Sequence, residues 1–194
     1  MLKPSLEPES VVALMKSLAT SKTFLEYGSG GSTFLAEKCG VNNIISIESD
    51  YDFSEKVKNE YSALNSSVIL NLLYADIGPT EAWGHPIDKN YSFKWPGYAL
   101  LPWEFLSKTN ISPPDHILID GRFRVACFIS SLSLSPPGTC IFFDDYLNRS
   151  YYHCVEKYLK PVATFGRMAL FITPSEPIKT NLLPDFFKAA HNPQ

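Results

Sequence analysis

Four places in this chain put chemically capable side chains at spacings that chemistry could use. The first is the run Glu26-Tyr27-Gly28-Ser29-Gly30-Gly31-Ser32-Thr33. Gly28 and Gly30 permit a tight turn and let a ligand approach the backbone. A helix opened by Ser32 as N-cap would aim its free amides at that ligand. Glu26 would repel a pyrophosphate and suit a cation, and Thr33 stands where a dinucleotide-binding loop wants Gly or Ala. The second place is Glu48, twenty residues after Gly28, at the spacing of an acid that accepts hydrogen bonds from ribose hydroxyls. The third is Asp120 with the pair Asp144-Asp145. Carboxylates converging there repel one another unless something positive intervenes. A hard cation such as Mg²⁺ on Asp120, Asp144 and Asp145 would serve. So would the guanidinium of Arg122 or Arg124, and a plain turn at Asp120-Gly121 is the third alternative. The fourth is a scattered set of proton acceptors, His85, His153 and Asp145, of which Asp145 and His153 follow the second acidic site most closely.

These residues need elements to hold them. Apolar runs at 23–27, 43–47, 68–74, 115–119, 138–143, 162–165 and 168–173 read as seven strands. Helical periodicity appears over 8–19, 32–39, 52–64, 123–134 and 151–159. Strands alternating with helices predict one α/β domain spanning 1–194. Its architecture is a doubly wound, mostly parallel seven-stranded sheet with helices on both faces and a C-terminal antiparallel hairpin. Residues 1–22 supply an N-terminal helix. In such sheets ligands bind beyond the carboxyl ends of the strands, where strand order reverses. Gly28, Glu48, Asp76, Asp120 and Asp144-Asp145 all fall at such ends. Residues 78–102 read as a long aromatic and proline-rich insertion without periodicity, a lid or acceptor wall. Residues 174–194 read as a loosely attached tail, and Arg167 as a turn residue of the final hairpin.

Composition narrows the partners. The chain has 194 residues, 45% hydrophobic and 19% charged, with net charge −3, so no basic excess grips a phosphate backbone and no nucleic acid is expected. No apolar run is long enough for a membrane span or a secretory leader, and the four cysteines match no zinc or redox spacing. These features favour the cytoplasm.

Residues 24–32 and Ile45-Ser46-Ile47-Glu48-Ser49-Asp50 resemble the first two motifs of class I S-adenosylmethionine (SAM)-dependent methyltransferases. Tyr74-Ala75-Asp76, Ile117-Leu118-Ile119-Asp120-Gly121 and residues 138–145 resemble the third to fifth strand ends of that family. The likeness covers residues 20 to 173. It implies SAM as cofactor, held by Glu26, Gly28, Ser29, Gly30, Ser32, Glu48, Asp76 and Asp120. The Asp120 and Asp144-Asp145 pattern is also similar to that of metal-dependent O-methyltransferases, which implies an optional Mg²⁺ fixing an acceptor hydroxyl. The reading is methyl transfer to a small-molecule acceptor. The alternatives are an idle SAM-binding module of the same fold and an NAD-dependent oxidoreductase. Oligomeric state is not legible.

Overall fold

The structure, a computed structural model, describes residues 2–176, 178 and 181–194. Helix α1 (Pro8–Leu18) opens with proline in its first turn, where a missing N–H costs nothing. Strand β1 (Thr23–Tyr27) runs into the glycine loop, followed by α2 (Gly31–Cys39), β2 (Asn43–Glu48) and α3 (Tyr51–Ser62). Asp50 caps α3, its side chain accepting from the Phe53 amide. Next come β3 (Ile69–Tyr74), a two-residue hairpin of β4 (Thr80–Glu81) and β5 (His85–Pro86), and α4 (Pro96–Ser107). The chain continues through β6 (His116–Ile119), α5 (Arg124–Leu134), β7 (Cys140–Phe143), β8 (Ala163–Phe165), β9 (Met168–Ile172) and α6 (Leu183–Ala190).

The main sheet has seven strands in the order β3-β2-β1-β6-β7-β9-β8, parallel except for β9. Strand order reverses between β1 and β6. The central strands are buried on both faces, which is why they read as continuous apolar runs. Alternate residues feed two cores. Phe24, Ile44, Leu118 and Phe142 pack with α1, α2 and α3. Leu25, Ile45, Ile117 and Phe143 pack with α4, α5 and α6.

Four expectations are corrected. The insertion at 78–102 is not structureless: it holds the small hairpin and the first half of α4. Its helix escapes a periodicity search because Pro96-Gly97-Tyr98-Ala99-Leu100-Leu101-Pro102 carries no polar stripe, with Pro96 in the first turn and Pro102 inside. The tail is not loose, because Phe186 and Ala190 of α6 are buried in the core beside α5. Burying one phenylalanine stabilises by about 1.5–3 kcal/mol, enough to dock a two-turn helix. The segment expected as a helix at 151–159 is a 3₁₀ helix over Ser150–Lys157. Phe123 does not begin α5. It takes a left-handed backbone (φ 53°) and its ring packs between Trp95 and Tyr98, so α5 starts at Arg124. Among the described residues, no helix is long and apolar enough to cross a membrane.

Candidate active site

At the strand reversal β1 and β6 end side by side. Gly28 (φ +94°) has no room for a side chain, since a Cβ there would lie 2.8 Å from the Gly121 Cα. A Cβ on Gly121 would in turn lie 2.1 Å from the Tyr98 hydroxyl oxygen. The two glycines thus bring the two strand ends into backbone contact. Above them opens a cavity of about 1040 Å³, lined by the glycine loop, residues 48–50, the β4–β5 turn, Tyr98, and residues following β6 and β7. The N-terminal residues 2–6 form its remaining wall. They cross the loop so closely that a Cβ on Gly31 would lie 2.0 Å from the Pro4 nitrogen.

Glu26 lies beneath this cavity and does not line it. Its carboxyl is fully buried and accepts from the Ser32 (2.5 Å), Ser46 (2.7 Å) and Thr33 hydroxyls. Burial raises its pKa from the ordinary 4.5 to about 7, against the pull of those donors. Its expected repulsion of a pyrophosphate therefore loses its basis. Glu26 acts as the floor of the loop. Ser32 is not the N-cap of α2, because its hydroxyl is committed to Glu26 and Gly30 takes the cap position. Thr33 ties floor to loop, accepting from the Gly30 amide at 3.0 Å while donating to Glu26.

Glu48 does line the cavity. One oxygen accepts from the Ser49 and Asp50 amides at 2.7 and 2.9 Å; the other accepts from the Ser29 hydroxyl at 2.8 Å. Burial lifts its carboxyl above the usual range, opposed by those donors. The β4–β5 turn leans on it: the Ser49 hydroxyl donates to the Gly84 carbonyl at 3.1 Å. This turn holds Trp83 at the cavity rim in a left-handed conformation (φ 66°), with its side chain 82% exposed. His85 follows on the cavity wall, its Nδ1 3.7 Å from the Glu81 carboxylate and without a hydrogen bond.

The acids after β6 and β7 converge as expected, and three arginines neutralise them. Arg167 forks onto Asp144, with Nη2 at 2.9 Å and Nε at 3.1 Å from one oxygen. Its Nε also sits 2.7 Å from Asp145. Arg149 meets Asp145 at 2.8 Å, and Arg124 bridges Asp145 at 3.3 Å and Asp120 at 3.1 Å. Asp145 itself takes a left-handed backbone (φ 58°) to reach this cluster. Burial raises the Asp120 carboxyl; Arg124 opposes the rise, and Asp144 and Asp145 add to it. A divalent cation would have to enter beside three guanidinium charges and displace their hydrogen bonds. The donor set does not fit Mg²⁺, and among the described residues no group of three or more His, Cys, Asp or Glu side chains is arranged to hold a metal ion. Of the alternatives the sequence left open, the arginine-paired one is present, through Arg124 and not Arg122.

Besides Glu26, three expected site residues do not line the cavity, the first being the fully buried Asp144. Asp76 is exposed, pairs with Lys94 at 2.5 Å and does not line the cavity. His153 stacks on Tyr146 and its Nε2 lies 3.1 Å from the Tyr146 carbonyl oxygen, also away from the cavity. Sequence reasoning missed Arg149 and the N-terminal wall and set Arg167 aside as a turn residue, whereas Trp83, His85 and Tyr98 of the insertion read as an acceptor wall do line the cavity. A topological signal for Arg167 existed. An antiparallel last strand begins where its parallel neighbour ends, and the Phe143↔Ala169 register sets Arg167 beside Asp145.

No protein-family model and no curated protein matches the sequence. Solved structures do. A methyltransferase-like protein from Silicibacter pomeroyi DSS-3 is 31% identical over 99% of this chain and 98% of its own, with TM-score 0.89. An O-methyltransferase from Bacillus cereus, solved in complex with SAH, is 16% identical over 87% of this chain and 82% of its own (TM-score 0.59). An RNA methyltransferase from Salinibacter ruber, solved with S-adenosyl-L-homocysteine, is 14% identical over 91% and 97% (TM-score 0.52). The last two likenesses concern the fold alone.

Proposed function

We propose that this chain, which belongs to the class I methyltransferase-like family, binds SAM and passes its methyl group to a small-molecule acceptor. One observation carries the reading. Glu48, at the end of β2, is joined through Ser29 to the glycine loop on the wall of a cavity at the strand reversal. That geometry suits a ribose diol, whose hydroxyls would replace Ser29 as donors to Glu48. Gly28 and Gly30 keep side chains off the path of the amino acid part. SAM supplies an activated methyl on a sulfonium.

The protein's share is mostly positional: to hold the acceptor in line with the methyl and to exclude water. Residues 2–6, the β4–β5 turn and Tyr98 close the cavity from three sides. Where the acceptor gives up a proton, Asp120 suits the task. It lines the cavity and its carboxyl is raised toward neutrality. Asp145 lines the cavity as well, but both its oxygens face guanidinium groups, so it holds Arg149 and Arg167 in position.

Calorimetric titration with SAM tests this reading. The intact protein binds in the micromolar range or tighter, and Glu48→Gln weakens binding at least about tenfold, as expected for a lost charge-assisted acceptor. No SAM binding by the intact protein, or equal binding by the variant, would overturn it.

A further inference from the structure

Besides Lys3 on the N-terminal wall, the charged side chains of the cavity can be accounted for one by one. Five acids line it; four are hydrogen-bonded or ion-paired, and the fifth, Glu81, is exposed and lies 3.7 Å from His85 Nδ1. Glu48 takes two backbone amides and Ser29, and Asp50 caps α3. Glu81 faces His85, Asp120 faces Arg124, and Asp145 faces three arginines. The three arginines of that cluster are satisfied in turn. Arg122 is different: it lines the same cavity, forms no ion pair among the described residues, and its Nε is buried without a hydrogen-bond partner.

A buried donor left unmatched costs free energy, so this one needs a reason. Chance flexibility does not supply it, because the backbone at Arg122 is pinned. Its amide donates to the Tyr98 hydroxyl at 3.3 Å and its carbonyl accepts from the Cys127 thiol at 3.4 Å. The preceding Gly121 is packed against Gly28. A fixed backbone thus holds at the cavity a guanidinium with no ion pair among the described residues and with its Nε unmatched, while the buried acids there are engaged. Arginine's planar fork matches a carboxylate or a phosphate in two parallel hydrogen bonds.

Its position selects the molecule it serves. Glu48 and the glycine loop lie at the ends of β2 and β1, whereas Arg122 follows β6 on the other side of the reversal. With the cofactor over β1 and β2, the acceptor enters from the β6 side. We propose that Arg122 is a specificity-determining residue that binds an anionic group, a carboxylate or phosphate, on the methyl acceptor. This rests on the methyl-transfer reading for the word acceptor, and on the cavity's own charges for the anion.

The test uses two probes on the intact protein, inorganic phosphate at constant ionic strength and SAM, against Arg122→Gln and Arg122→Lys. Phosphate raises the thermal midpoint of the wild type at millimolar concentration. Arg122→Gln weakens that response at least fivefold, Arg122→Lys keeps part of it, and SAM affinity stays within twofold in both. Without phosphate, Arg122→Gln melts no lower than the wild type, since it removes an unpaired donor and no contact. A wild type indifferent to phosphate, or a glutamine variant that responds equally, overturns the proposal. Loss of SAM affinity with an intact phosphate response overturns it too, assigning Arg122 to the cofactor's own carboxylate. If the wild type binds no SAM yet shows an Arg122-dependent phosphate response, the anion site stands and the methyl-transfer reading falls.

Discussion

The two halves of the cavity hold their carboxylates by different means. Beneath and beside the glycine loop, Glu26 and Glu48 are surrounded by hydroxyls and backbone amides, with no cation bonded to either. After β6 and β7, Asp120, Asp144 and Asp145 are met by guanidinium groups. Neutral donors stabilise an anion without cancelling its charge, so burial still wins at Glu26 and the group titrates near pH 7. Guanidinium donors carry a charge that does not titrate and that opposes the effect of burial, although burial still raises Asp120 at this edge. The first design suits a rigid floor. The second suits an edge facing a ligand whose charge must be discriminated.

The largest test of this contrast breaks the ionic half. Asp144 is fully buried, and Arg167→Met would strand its charge. The expected loss is about 3–5 kcal/mol in denaturant unfolding. Asp144→Asn together with Arg167→Met should recover part of it, showing the pair to be coupled. A loss below about 1 kcal/mol would mean that Arg124 and Arg149 sustain the cluster without it.

The next test concerns the neutral half and its pH dependence. Glu26 binds its proton more tightly folded than unfolded. Its contribution is therefore fully present below pH 4.5 and lost as pH rises to about 7. Across that window the wild type loses up to about 3 kcal/mol from this group. Glu26→Gln cannot titrate and should flatten the slope, leaving the shares of Glu48 and Asp120, whose carboxyls are raised in the same sense. An unaltered slope would place the dependence at Glu48 and Asp120 instead of the floor.

A smaller effect distinguishes floor from wall. Thr33→Val removes the hydroxyl joining Glu26 to the Gly30 amide and should cost about 1–3 kcal/mol, because both partners are buried. Ser29→Ala, at a half-buried wall position, should cost less than about 1 kcal/mol in stability. The smallest expected effect is that of metal. Magnesium or EDTA should leave the thermal midpoint and SAM affinity unchanged, because guanidinium groups hold the acids a metal would need. A magnesium-dependent rise in midpoint would show that the arginines step aside.

What the chain's own order determined was the sheet and the positions of its loaded strand ends. Buried parallel strands must be apolar, and the loops after them must turn with glycine, so β1, β2, β6 and β7 could be read within one or two residues. The joining of Ser29 to Glu48 follows from the register of β1 on β2, with Tyr27 opposite Ile47. Only the tertiary structure decided which acids face the cavity. Glu26 and Glu48 look alike in sequence and point to the same face of the sheet, since Glu26 pairs with Ser46, yet Glu26 lies inside β1 beneath the loop and Glu48 ends β2 on the wall. Tertiary packing also decided what neutralises the acidic edge. Arg149 lies only four residues after Asp145, but Arg167 reaches it through an antiparallel pairing that no local pattern records. The same holds for α4 and α6, which lack a clean polar stripe or a long periodic run and become helices because the sheet offers each a face to cover.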